Sequence, residues 1–148
     1  MVSTDPSRLE ELFECVFAED AWVRMRAIDS FEKIVKDHPR WAQPYLDRML
    51  VQLSTSVQPS IQWHLAQIFV EVELNNRQRE LAILWLTNKI KTTEVDWIVA
   101  ANVMKALVYF YKNGFVQSRV VESLLRQQTG HASKSVRAKA EALIGELE

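Results

Sequence analysis

A chain of 148 residues, 48% hydrophobic and 25% charged with three glycines and four prolines, fits one soluble domain with a continuous core and excludes a disordered or linker-rich protein. The formal net charge of −1 excludes a surface devoted wholly to phosphate, and a single cysteine, Cys15, excludes a disulfide framework. Residues 1–8 hold no signal-peptide core and no stretch approaches the roughly eighteen uncharged residues of a bilayer span, so the expected setting is cytoplasmic, without membrane.

Asp5-Pro6 opens a leading cap helix over 6–18, with Leu9, Leu12, Phe13, Val16 and Phe17 on one side and Glu10, Glu11 and Glu14 on the other. Cys15 lies within this apolar run and is expected as a small core residue. A pattern then returns every 37 or 38 positions: Val23, Ala27, Phe31, Ile34; Ile61, Leu65, Phe69, Val72; Val99, Val103, Leu107, Phe110; Val136, Ala140, Ile144, Leu147. Within each copy these residues fall inside about a third of a helical turn, one stripe facing a core. A period of this length marks a copied supersecondary unit.

Second amphipathic runs follow three of the stripes. They are Tyr45, Leu46, Met49, Leu50 and Leu53; Leu81, Leu84 and Trp85; and Val116, Val120, Val121, Leu124 and Leu125. His38-Pro39, Gln43-Pro44, Asn75-Asn76, Asn113-Gly114 and Thr129-Gly130 supply the breaks. Asp20, Asp96 and Ser133 precede the register residue by three positions, where a side-chain oxygen caps a helix; Gln58-Pro59 fills that place in the second copy. The expected architecture is all-α: a single domain, 1–148, built as an α-α superhelix or solenoid of about three and a half to four hairpins and eight helices. The repeats span about 20–54, 58–91 and 95–128, and a closing helix over 133–147 ends the array without a second helix.

The stretches DAWVRMRAIDSFEKI and KSVRAKAEALIGEL resemble the first helix of HEAT-like (armadillo-type) repeats, in which Asp or Ser precedes Val-Arg and an Ala then packs on the neighbour. Val23-Arg24 and Val136-Arg137 recur in phase, whereas the middle copies depart with Ile61-Gln62 and Val99-Ala100. The resemblance implies a scaffold or assembly factor, less often a DNA-alkylation glycosylase or a phycobilin lyase, and by itself selects no activity. It also implies that second helices line a concave side.

No Gly-rich phosphate loop, His-Glu-x-x-His, Cys-x-x-Cys or nucleophile elbow occurs, so no catalytic residue, cofactor or enzyme activity is expected. His38, His64 and His131 are far apart along the array, and no metal site is expected from them. Charge placement says more. Segments 38–57, 75–93 and 112–131 hold nine basic residues against three acids, a net of +6 that leaves −7 for the rest. Arg48, Arg79, Arg119 and Arg126 point away from their own apolar stripes and are the expected partner-binding positions on a basic concave face.

Among five tryptophans, Trp22, Trp41, Trp85 and Trp97 are expected to pack beside stripes or helix entrances. Trp63 falls nearly opposite its stripe, and with Val70, Ala101 and Val108 would draw a convex apolar contact line. The leading expectation is a non-catalytic scaffold or adaptor that binds a protein partner of acidic character. The alternative is nucleic-acid binding or a glycosylase-like activity, for which Asp47, Glu80 and Glu122 with Trp41 and Trp85 are the candidates. The unpaired closing helix leaves a monomer, a weak homodimer through the ends, or a piece of a longer array.

Overall fold

The computed structural model describes residues 8–147. Among these the regular structure is entirely helical: eight α-helices joined by loops and three short 3-10 turns, with no strand. The Asp5-Pro6 opening of the leading helix lies outside the described residues. By contacts the chain divides into two compact units, Met1–Gln78 and Arg79–Glu148, the division falling in the first turn of helix α5 (Asn76–Lys89).

The first unit holds α1 (Leu9–Glu14), α2 (Ala21–Asp37), α3 (Gln43–Val51) and α4 (Pro59–Glu71). Asp20 starts α2 by accepting from the amides of Trp22 and Val23 at 2.8 and 3.3 Å, and Pro59 occupies the first position of α4, where no amide donor is needed. Helix α2 packs chiefly on α4, and α1 lies against α2. At the centre Phe13, Phe31 and Tyr45 meet with ring centroids 4.9–5.5 Å apart, and Ile28, Leu46 and Met49 of the same unit are fully buried. Ala27, Phe31, Ile61, Leu65, Phe69 and Val72 of the repeating stripe are buried, whereas Val23 is exposed. Helix α1 is only six residues long and leaves a shallow groove lined by Leu12, Cys15, Trp22 and Val23 at that end. Cys15 is thus an exposed residue and not a core one, its thiol turned to the Glu11 carbonyl at 3.4 Å.

The second unit holds the greater part of α5 with α6 (Trp97–Lys112), α7 (Ser118–Gln128) and α8 (Lys134–Gly145). Helix α8 packs on both α6 and α7. Asp96 and Ser133 cap α6 and α8 as their spacing predicts, with amide contacts of 2.9 and 3.1 Å to Asp96 and 3.4 Å to Ser133. Val99, Val103, Leu107, Phe110, Val136 and Ala140 are buried. Gly114 ends α6 with φ +84°, a left-handed conformation that glycine adopts without a Cβ clash.

The Val-Arg pairs have a structural reason. Arg24 Nη1 donates to the carbonyls of Ala18 and Glu19, both at 2.7 Å, and Arg137 Nη1 donates to those of His131 and Ala132, both at 2.9 Å. Each guanidinium therefore satisfies the loop that enters its own helix. Gln62 takes the same place in the second copy, its amide donating to the Ser56 carbonyl at 2.9 Å.

Candidate functional site

The four arginines that charge placement singles out have different surroundings. Arg48 is committed within its own unit: Nη1 lies 3.3 Å from Glu10, Nη2 pairs with Glu14, and the guanidinium carbon stands 4.7 Å from the Phe13 ring centroid. These acids, the Glu14 hydrogen bond first, hold its pKa above the ordinary value. The expectation of an outward anion contact is corrected here, because the carboxylates of the leading helix are the nearest anions and the Phe13 ring lies beneath.

In the second unit Arg79 lies over the Phe115 ring at 3.8 Å from its centroid, and Phe115 is itself 49% exposed. Arg119 and Arg126 are exposed on α7. Arg126 pairs with Glu122 one turn earlier at 2.7 Å, and Arg119 reaches Gln117 at 3.5 Å. The opposite side of α7 buries Val121, Leu124, Leu125 and Gln128. Of the acids weighed for a groove chemistry, Asp47 accepts from Gln78 at 3.2 Å and Glu122 is taken by Arg126.

The expected convex apolar line is also corrected. Val108 is 3% exposed, because α8 covers that side of α6, where Val108 and Leu143 border one groove. Trp63 and Val70 are half-buried in the other unit. Trp63 stacks on the neighbouring His64 ring at 3.7 Å. Trp22 and Trp97, expected as packing residues, are 62% and 53% exposed in the first turns of α2 and α6.

A constellation that spacing did not announce lies between α2 and α4. His64 is 2% exposed, and its Nδ1 lies 2.6 Å from the Ser60 carbonyl; a carbonyl only accepts, so Nδ1 carries the proton. Nε2 is thereby turned to Oδ1 of Asp29 at 3.2 Å. Glu32, 7% exposed, joins them, so that one donor atom from each of Asp29, Glu32 and His64 lies within 4.8 Å of the others. Lys33 sits on the outer side of Asp29 at 2.9 Å and holds that carboxyl below its usual range, burial opposing and His64 adding. Glu71 of α4 hydrogen-bonds the Glu32 carboxyl; burial first, and then Glu32, push its pKa up to about 8. At neutral pH Glu71 therefore holds a proton to donate to Glu32, while its Oε1 is shielded from solvent without a hydrogen-bond partner.

Residues 29 and 32 share one face of α2 at a three-residue spacing, and 64 and 71 share one face of α4 at seven. In the sequence nothing links the two pairs, which belong to different copies. Only the packing of α2 on α4 brings them together.

Comparison of the chain with protein-family models, curated proteins and solved structures gives no match. No helix among the described residues is long and apolar enough to cross a membrane.

Proposed function

We propose that this chain is a helical-repeat protein of HEAT-like type that works as a non-catalytic binding module in the cytoplasm, taking an acidic segment of a protein partner. The observation that carries the reading is the exposed arginine and aromatic surface of the second unit, where Arg79 covers the half-exposed Phe115 ring and α7 presents Arg119, Val120 and Arg126. Arginine and aromatic side chains are the residue types that dominate binding energy at protein interfaces.

The repeat part of the reading is supported by hydrogen bonds that join residues about one period apart. Arg24 to Gln58, Gln78 to Gln43, Gln128 to Ile90 and His131 to Val95 are 34–38 positions apart. Such ties are what neighbouring copies of one hairpin require.

Fluorescence anisotropy with a labelled acidic peptide containing aromatic residues, and in parallel with duplex and single-stranded DNA at two salt concentrations, tests the function. Peptide binding that falls at least about tenfold in an Arg79→Glu/Arg119→Glu double variant of unchanged circular dichroism supports it, a loss of about 1.4 kcal/mol. Binding to DNA alone, with a steep loss on adding salt, would replace it with the nucleic-acid alternative.

A further inference from the structure

We propose that Asp29, Glu32 and His64 form a binding site for one divalent transition-metal ion between α2 and α4, with Glu71 as a positioning residue behind Glu32. The mixed set of one imidazole and two carboxylates suits Zn²⁺ or Mn²⁺, and three protein donors leave a position for water or a further ligand.

Three features of the geometry carry this. First, the donor atoms already lie within 4.8 Å of one another, so a small inward side-chain movement brings all three within the roughly 4.4 Å that two bonds of about 2.0–2.2 Å to a single ion allow. Second, the outer partners of a ligand set are in place. The Ser60 carbonyl holds the Nδ1–H at 2.6 Å and turns Nε2 inward, and Glu71 hydrogen-bonds Glu32. Third, the site is sheltered but reachable: His64 and Glu32 are buried, the Trp63 ring stacks on His64, and the Asp29 side chain is 39% exposed. Nε2 of His64 and Oδ1 of Asp29 face each other at 3.2 Å, a separation that two ligands of one ion can have.

The test is calorimetric titration of Zn²⁺ and Mn²⁺ into the full chain, with Co²⁺ absorption as a second readout of coordination. One ion per chain is expected, with visible Co²⁺ bands of a low-symmetry site and a raised melting temperature. Loss of an outer partner alone costs about 10- to 100-fold in metal affinity, so Glu71→Ala should fall in that range and H64N or E32Q beyond it. Glu71→Gln keeps a hydrogen-bonding group of the same size beside Glu32 and should bind nearly as the parent does. If the buried replacements do not fold, Asp29→Asn, at a half-exposed position, should weaken Zn²⁺ more than tenfold while circular dichroism stays unchanged. Ca²⁺, which takes six to eight oxygens, should not compete. Zn²⁺ and Mn²⁺ that fail to bind up to roughly millimolar, or that bind all variants alike, would overturn the site.

Discussion

Arg48 and Gln128 show how much a residue's role depends on what stands across from it. Arg48 is a basic position on an amphipathic helix, yet its charge faces Glu10 and Glu14 of α1. A double-mutant cycle between Arg48→Ala and Glu14→Ala should give a coupling of about 0.5 kcal/mol, the range for a partly exposed pair, and added salt should reduce it. Gln128 looks like a surface polar residue at the end of α7 but is fully buried, donating through Nε2 to the carbonyls of Ile90 and Thr92 at 3.0 and 2.9 Å. Its replacement by Ala should cost roughly 1–3 kcal/mol in urea unfolding, because two carbonyls lose their donor. No periodicity announces Gln128, since burial of a polar side chain depends on acceptors supplied by another part of the chain. The same holds for His64, whose placement on a helix was legible while its carboxylate neighbours were not.

At the scale of elements, helix starts were the most readable feature. Asp20, Asp96 and Ser133 cap the helices their spacing assigns to them, since an N-cap contact is made within three residues. The arginine one place after the register residue reaches back five and six residues to loop carbonyls, again a local contact. Arg137→Ala should therefore lower stability by about 1 kcal/mol, with hydrogen exchange rising first at residues 131–136. The end of α8 carries a pH-dependent clasp: Lys112 of α6 lies 2.6 Å from Glu146 and holds its carboxyl below the ordinary 4.5. A lowered folded pKa contributes stability above 4.5 that is lost as pH falls through the lowered value. Lys112→Met should flatten this part of the acid limb of the melting curve, and Lys139, the weaker cation near Glu146, leaves a remnant.

For the molecule as a whole, the repeating stripe places comparable core residues in both compact units. Phe31 in one and Leu107 in the other are both fully buried. Truncating either to Ala should cost roughly 2–5 kcal/mol in chemical denaturation, through lost burial and the cavity left behind. Val23→Ala, at the register position that is 41% exposed, should stay within about 0.5 kcal/mol. Equal costs at Val23 and Phe31 would contradict the burial that separates them.

The sequence by itself determined the all-helical class, the eight helices, their caps and most of the inward stripe, because each follows from contacts within three to eleven residues of one helix. Tertiary structure alone decided which charges from different helices meet. Arg48 finds carboxylates 34 and 38 positions away, and Asp29 finds His64 at 35, distances at which nothing in local spacing links the partners. Packing of one helix on the next made Val108 a buried residue, left Trp22 and Trp97 at the surface, and gathered three dispersed polar side chains into one sheltered cluster.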